Sequence, residues 1–269
     1  MKRYLAGLST MALIALTSPT FAMPTVINGA GSSFGINAGF GDRIGENSEL
    51  SITSDLAGNI SWLLDPLGAG ALDGANAVVI YIDTDNGATG FADTTSFEDV
   101  GGGADELRGA TSAYNGVART DLTFAPGFLA NYALAFNGGV GVAFELGAGG
   151  TGHTFIEVIS DAPGGGGFGT GGPYNFTHTM ATLDLSPGDS FRYFATYMNP
   201  EVVTANAGGP FRSNEYQGVA DSSVPDFNTG FDPVSLSAGD FNTFNSVPEP
   251  ASLALLVLGG LAVMGRARR

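Results

Sequence analysis

Apolar residues occur along this chain in short runs, and Gly, Asn, Asp, Ser and Thr separate those runs. Such punctuation is typical of β-strands joined by turns rather than of long helices. Residues 59–65 (NISWLLD) place Ile60, Trp62 and Leu64 on one face by period-2 alternation. Residues 77–82 (AVVIYI) are apolar throughout, which predicts a strand buried on both faces. Similar patterns predict six further strands, at 132–136, 141–146, 153–159, 176–185, 191–198 and 234–244.

One range has the periodicity of a helix. In residues 104–114, Leu107, Ala110 and Tyr114 share a face. Many short strands, frequent turn signals and one short helix predict an all-β fold, either a β-sandwich or a jelly roll. The alternation of Trp62 with apolar neighbours favours a core position for it over an exposed aromatic platform for sugars.

The first 22 residues have the three parts of a secretory signal peptide. Lys2 and Arg3 give a positive start, residues 5–16 are apolar, and Ala22 offers a small residue at the cleavage position. The apolar run is too short for a membrane anchor. We therefore expect export through the Sec translocon, with cleavage after Ala22.

The C-terminus carries a second signal, with its parts in a different order. A four-residue motif comes first, consisting of Val247, Pro248, Glu249 and Pro250. An apolar run follows over residues 251–264, and Arg266, Arg268 and Arg269 close the chain. At ~1.5 Å per helical residue this run reaches about 21 Å, short of the ~30 Å hydrocarbon core of a bilayer. The arginines should stay on the cytoplasmic side and so orient the segment.

This arrangement over residues 246–269 resembles the PEP-CTERM sorting signal of Gram-negative, exopolysaccharide-producing bacteria. The resemblance implies that an exosortase, a membrane-embedded cysteine peptidase, cuts near the Pro-Glu-Pro motif and releases or transfers the protein. It further implies a precursor held transiently in the inner membrane, a final location at the cell surface or outside the cell, and exopolysaccharide as a partner. The alternative is an ordinary C-terminal anchor whose linker reads Pro-Glu-Pro.

The region between the two signals, residues 23–246, is strongly acidic. It has five arginines, no lysine and 25 acidic residues, for a formal charge of −20. Nucleic acid is therefore excluded as a partner, because phosphate binding relies on Lys and Arg. The chain has no cysteine, which excludes disulfides, thiolate metal sites and a cysteine nucleophile. Its 224 residues suffice for one domain with a packed core.

Several segments of this region resemble exported bacterial β-sandwich domains of the DOMON and carbohydrate-binding-module type. The segments are 77–94 (AVVIYIDTDNGATGFADT), 105–110 (DELRGA) and 190–219. The resemblance spans about residues 45–244, and it implies a sandwich fold without implying an activity.

An acidic turn directly after the apolar strand is the best candidate for a metal site. Asp83 and Asp85 alternate in the sequence DTDNG, and Asp93 follows a Gly-containing stretch that lets the chain fold back. Such carboxylates can wrap calcium, although the glycine comes one position earlier than in an EF-hand loop and the distal glutamate is missing. The alternative is an acidic hairpin turn, because Asp-Asn-Gly is ordinary turn chemistry.

The sequence gives little support to catalysis. His153 and His178 are the only histidines, and each lies in a predicted strand, where structural or surface roles are usual. A catalytic zinc site needs at least three convergent ligands. We therefore expect no enzyme, but a non-catalytic structural or adhesive protein. The alternative is a module that binds a carbohydrate or another small ligand.

Overall fold

The computed structural model describes residues 25–28, 49–65, 77–94, 98–99, 106–114, 122–137, 140–147, 152–159, 173–198, 234–236, 238 and 241–246. Within these ranges the structure is almost entirely β. The strands in chain order are β1 (Thr25–Asn28), β2 (Glu49–Ser54), β3 (Asn59–Asp65), β4 (Ala77–Asp83), β5 (Glu98–Asp99), β6 (Ala113–Tyr114), β7 (Leu122–Thr123), β8 (Tyr132–Asn137), β9 (Gly141–Glu145), β10 (Thr154–Ile159), β11 (Tyr174–Thr179), β12 (Ser190–Met198), β13 (Val234–Ser235) and β14 (Asn242–Asn245). One α-helix, α1 (Glu106–Thr111), and a 3-10 helix, Met180–Leu183, complete the set.

The first sheet has four strands in the order β1-β2-β3-β11, all antiparallel. Strands β2 and β3 form a hairpin whose turn is held by the Asp55 side chain. Its Oδ1 accepts the N–H groups of Ala57 (2.8 Å) and Asn59 (2.9 Å). Gly58 takes the left-handed conformation that this turn requires (φ 82°). Burial alternates strictly along β2, β3 and β11, so each strand has one inward and one outward face.

The second sheet has six strands in the order β10-β9-β8-β4-β12-β14, also antiparallel. Strand β4 lies inside this sheet, between β8 and β12. Every residue from Val78 to Asp83 is buried, in agreement with the continuous apolar run. The predicted burial of this strand on both faces is confirmed.

The two sheets pack face to face through aromatic side chains. Trp62 of β3 lies 5.9 Å from Phe191 and 6.3 Å from Tyr193 of β12, measured between ring centroids. Phe136 of β8 lies 5.3 Å from Phe176 of β11. All five rings are buried, and the predicted β-sandwich is confirmed.

A second layer covers the outer face of the six-stranded sheet. Tyr81 of β4 donates its hydroxyl to the main-chain oxygen of Thr111 at the end of α1 (2.8 Å). Its ring lies 5.0 Å from that of Phe124, which follows β7. Leu107 and Ala110 of α1 are buried as well. The sheet is therefore packed on both sides, whereas the four-stranded sheet turns one face outward.

The helix lies within the predicted range 104–114 but is shorter than predicted. The structure ends α1 at Thr111, three residues before the predicted end, and puts Tyr114 in β6. The Thr111 hydroxyl bonds back to the main-chain oxygen of Leu107 (2.6 Å), and β6 pairs with β5 in parallel. The chain after α1 therefore continues as a strand.

Two predicted strands are each divided into two elements in the structure, whereas β8, β9, β10 and β12 differ from their predicted ranges by one residue at one end. The range 176–185 splits into β11 and the 3-10 helix, which ends at Asp184 in the left-handed conformation (φ 55°). The range 234–244 splits into β13, which pairs in parallel with β7, and β14, an edge strand of the six-stranded sheet.

Candidate functional site

The acidic turn after β4 is built around a buried carboxylate. The side chain of Asp83 is fully buried at the end of the strand. Its Oδ1 accepts the N–H groups of Gly87 (2.9 Å) and Asp85 (3.2 Å). Its Oδ2 accepts the N–H of Leu129 (3.3 Å) and forms an ion pair with Arg192. Both oxygens are thus occupied by donors from this protein.

Arg192 provides the compensating charge for Asp83. The two residues are direct cross-strand partners in the pairing of β12 with β4. The guanidinium also donates to the main-chain oxygen of Gly127 and lies 5.7 Å from the centre of the Phe128 ring. The pair therefore joins the acidic turn to the loop that covers the outer face of the six-stranded sheet.

The other two predicted calcium ligands lie differently. Asp85 accepts the N–H of Ala88 (2.9 Å) and the hydroxyl of Thr89. Partial burial opposes its ionisation, but these hydrogen bonds outweigh that effect and hold the pKa of Asp85 below its ordinary value. Asp93 lies in an isolated bridge with Thr123.

The three residues of the predicted calcium site are not brought together in this structure, and calcium binding stays a prediction. Among the described residues, which include Asp83, Asp85 and Asp93, no group of three or more His, Asp or Glu side chains could hold a metal ion. The reason is physical: the carboxylate of Asp83 is neutralised by Arg192, and that of Asp85 is turned into its own loop. The arrangement matches the acidic-turn alternative.

A second buried ion pair supports the other end of the covered face. Arg108 of α1 donates to Asp99 of β5 (2.7 Å) and to the main-chain oxygen of His153 (3.1 Å). Asp99 in turn accepts the N–H of His153 (3.3 Å). The guanidinium of Arg108 lies 5.3 Å from the centre of the Phe144 ring on β9. This one charge pair thus connects α1, β5 and β9 with His153, the residue before β10.

The same cluster contains the closest approach to a catalytic dyad among the described residues. The Oγ of Ser112 lies 2.9 Å from the Nε2 of His153. Burial lowers the pKa of His153 to about 4; Asp99 works against this effect and Arg108 adds to it. The imidazole is therefore neutral at pH 7, as a general base would be. Both side chains are buried, however, so a substrate has no access to the hydroxyl in this conformation.

His178 holds Trp62 in the core. The indole Nε1–H donates to the Nε2 of His178 (2.7 Å), and the Nδ1 of His178 lies 3.1 Å from the main-chain oxygen of Thr179. These partners assign the proton to Nδ1 and make the ring neutral. Burial lowers the pKa of His178, and the bond to Thr179 and the charge of Glu157 oppose it only in part. Both histidines are buried, and the predicted core position of Trp62 is confirmed.

The end of the sandwich is fixed by Ser246. Its N–H and its hydroxyl both donate to the main-chain oxygen of Asp189 (3.1 and 2.7 Å), and its Oγ accepts the N–H of Gly188 (2.8 Å). Phe244, two residues earlier, is fully buried. The fold is therefore closed by hydrogen bonds at the last described residue.

The residues of the two terminal signals lie outside the described part of the chain. They are Ala22, Val247, Pro248, Glu249, Pro250, Arg266, Arg268 and Arg269. The signal peptide at 1–22 therefore stays a prediction. Within the described ranges, the structure contains no helix of the length and hydropathy needed to cross a membrane.

Three residues that organise these clusters were not singled out from the sequence: Arg108, Arg192 and Ser246. The available signal was the scarcity of cations, since residues 23–246 have only five arginines and no lysine. In such a chain a buried carboxylate has few possible partners. Which arginine serves which aspartate depends on strand order, because 109 residues separate Asp83 from Arg192.

Comparison with known proteins bears on the C-terminus. Residues 246–269 match the PEP-CTERM protein-sorting motif. The motif implies an exported, surface-directed protein that an exosortase processes, and it begins at Ser246, the residue that closes the sandwich. No curated protein and no solved structure is a significant match to this chain. The likeness of the core to DOMON and carbohydrate-binding domains stays a prediction.

Proposed function

We propose that this protein is a non-catalytic component of the cell surface or extracellular matrix, where its β-sandwich has a structural or adhesive role among exopolysaccharides. The observation that carries the proposal is the junction at Ser246. The sandwich closes through Ser246, and in the sequence only Val247 lies between it and the Pro-Glu-Pro motif. A cut near that motif would leave every described strand in place, so the exported product is the folded domain itself.

The amino-acid composition supports an extracellular location. A formal charge of −20 over residues 23–246 favours solubility at a crowded surface. The absence of cysteine makes the fold independent of the redox state of the compartment. In the described part of the chain, the aromatic core and two ion pairs with buried carboxylates hold the fold together instead.

The buried dyad supports a non-catalytic role. Ser112 and His153 have the contact that a nucleophile and its base require, but both side chains are buried, and the His153 ring lies 5.6 Å from that of Phe144 on β9. A Ser112→Ala variant should therefore keep the biological role of the protein. The same substitution would abolish the role if this hydroxyl were a nucleophile.

Fractionation of native cells tests the proposal. We expect most of the protein in the surface or matrix fraction, and a weaker matrix in a strain that lacks the gene. Both the wild-type chain and the Ser112→Ala variant should restore the matrix. Protein found only in the culture medium, with an unchanged matrix in the deletion strain, would refute the structural role. Failure of a folded Ser112→Ala variant alone would refute its non-catalytic nature.

Mass spectrometry of the intact protein from the same fraction tests the processing. The expected species begins near Met23 and ends near Pro248 to Pro250. If most of the surface protein still carries Arg269, the C-terminus is a plain anchor and exosortase cleavage does not occur.

A further inference from the structure

The outward face of the four-stranded sheet has an unusual composition for this protein. Along β2, β3 and β11 it presents hydroxyl and amide side chains, and we call this surface the hydroxyl face. Its members are Ser51, Thr53, Ser61, Asn175, Thr177 and Thr179. Leu63 lies at its centre and is 36% exposed. The same outward side carries two acidic residues, Glu49 and Asp65, at one end of β2 and β3, while the members of the hydroxyl face have no charge.

The strand register arranges these side chains in rows across the sheet. Thr53, Ser61 and Thr177 are direct neighbours in one row. Ser51, Leu63 and Asn175 form the next row. Neighbouring strands lie ~4.8 Å apart and alternate residues of one strand ~6.8 Å apart, so the rows form a regular lattice of hydrogen-bonding groups.

The centre of this lattice is preorganised. The Oγ of Ser61 and the Oγ1 of Thr177 share a hydrogen bond of 2.8 Å, which fixes both rotamers. A hydroxyl can donate once and accept twice, so each retains capacity for a further partner. Fixed side chains lose little conformational entropy on binding. The face can therefore bind without first being ordered.

The charges around the face limit what it can bind. Glu49 and Asp65 pair across the strands at one end, and Asp55 lies in the turn at the other. A polyanion would be repelled by these carboxylates and would find no Lys or Arg on the described part of this face. A protein partner normally meets Trp, Tyr or Arg anchors, and the hydroxyl face contains none of them. A second copy of this chain would bring the carboxylates at the ends of two such faces together.

We propose that the hydroxyl face binds neutral polysaccharide, through hydrogen bonds from its Ser, Thr and Asn rows and apolar contact with Leu63. The inference rests on the proposed function and names the partner through which the domain is held in the matrix. Polysaccharide hydroxyls donate and accept as these side chains do, and they carry no charge. Without an aromatic platform each contact is weak, so affinity comes from many contacts along an extended polymer.

The test uses the processed protein purified from native cells, with three immobilised neutral polysaccharides and one polyanion. The neutral supports are cellulose, insoluble starch and agarose, and the polyanion is alginate. The test variant, Asn175→Glu with Thr177→Glu, puts two charges on exposed positions of β11. The control, Thr243→Glu with Asn245→Glu, puts the same charges at the same spacing on exposed positions of β14.

We expect the wild-type protein to be retained on at least one neutral support and not on alginate. The β11 variant should be retained at least tenfold less, and the β14 control within twofold of the wild type. Retention on none of the neutral supports, retention on alginate alone, or equal retention of the β11 variant would overturn the inference. So would a wild-type dimer that the β11 variant abolishes in sedimentation, since the face would then bind a second copy. If the protein still fractionates with the cell surface in those cases, the proposed function stands and only this partner is wrong.

Discussion

The outward faces of the two sheets differ: that of the four-stranded sheet is open to solvent, and that of the six-stranded sheet is covered by other segments. The four-stranded sheet presents Ser, Thr and Asn to solvent, and its strands alternate between buried and more accessible positions. The six-stranded sheet is covered on its outer side by α1 and by the segment around Phe124, and its central strand β4 is buried on both faces. The same fold thus contains a two-layer and a three-layer region.

The charges follow this division. Among the described residues, two ion pairs have buried carboxylates, Asp83 with Arg192 and Asp99 with Arg108. Both lie on the covered side, where they connect the covering segments to the sheet. A charge buried under a cover must be compensated, so these pairs fix the position of the cover. The open face needs no such compensation and is free to have a surface role. In the described part of the chain, the buried ion pairs thus connect elements of the fold.

We expect the largest loss of stability from a substitution on the buried face of the four-stranded sheet, whose other face is open to solvent. Trp62→Ala removes the ring that contacts both sheets and leaves the Nε2 of His178 without its donor. We expect a loss of about 4–5 kcal/mol in the free energy of unfolding, near the upper end for a buried aromatic residue. Chemical denaturation of the processed protein measures it.

Leu63 gives the matched control, because it is the next residue on β3 and points to the other side. Leu63→Ala should cost less than about 1 kcal/mol. Similar losses for the two variants would mean that the open sheet is also covered, and the contrast between the sheets would disappear.

The second largest loss of stability should come from a substitution in the acidic turn, on the covered side of the six-stranded sheet. Asp83→Ala leaves Arg192 without its carboxylate and removes the acceptor of three N–H groups, two in the turn and that of Leu129 in the facing loop. We expect a loss of about 3–4 kcal/mol, because removing one partner of a buried pair leaves an uncompensated charge. Asp85→Ala, in the same turn, should cost about 1 kcal/mol because its bonds are local and exposed.

The effect of calcium on the melting temperature tests the acidic turn on the covered side directly. Since Arg192 already neutralises Asp83, we expect the same melting temperature in calcium and in chelator. A calcium-dependent increase that Asp85→Ala removes would restore the calcium interpretation of this turn.

The sequence pattern predicted strands best where one face or both faces are strongly apolar. The alternation of Ile60, Trp62 and Leu64 located β3 with its observed bounds, and the apolar run located β4 to within one residue. Strand β2 was not predicted, because its sequence ELSITS has only two strongly apolar residues between polar ones. Strand β1 was not predicted, because it has only four residues and a glycine-rich stretch follows it in the sequence.

The candidate sites were predictable only in part. The acidic turn was found in the right place, directly after β4, but its chemistry depends on a cation on β12. The contact of Ser112 with His153 joins residues 41 positions apart, through the return of β10 beside β9. Local sequence cannot show such pairs, since strand order is a property of the whole sheet. The sorting signal was predictable because all its parts are contiguous.

The third effect is a loss of stability in acid. Burial holds the pKa of both histidines below the ordinary value of 6.5, that of His153 at about 4. Below pH 6.5 the unfolded chain therefore binds more protons than the folded one. Stability is complete above about pH 6.5 and falls as the pH decreases toward 4, by up to about 3 kcal/mol for His153.

Urea unfolding at pH 7.5, 6, 5 and 4.5 measures this dependence, with Trp62, the only tryptophan, as the fluorescent reporter. The variant His153→Gln should flatten part of the slope. A stability that stays constant from pH 7.5 to 4.5 would contradict the burial of neutral histidines.

The smallest effect comes from a pair of isosteric substitutions, one on each outer face. Thr177→Val removes a hydroxyl from the open face, where water can replace the bond to Ser61 and the β-branched shape is kept. We expect a change of the unfolding free energy within about 0.5 kcal/mol.

Thr94→Val removes a buried hydroxyl on the covered side, whose oxygen accepts the N–H of Leu122 (2.8 Å). The N–H would be left buried without an acceptor, so we expect a loss of about 1–3 kcal/mol. Thermal unfolding of the two variants side by side measures the difference. Equal losses would show that water does not reach the open face, and a face without water could not exchange its hydrogen bonds for those of a polysaccharide.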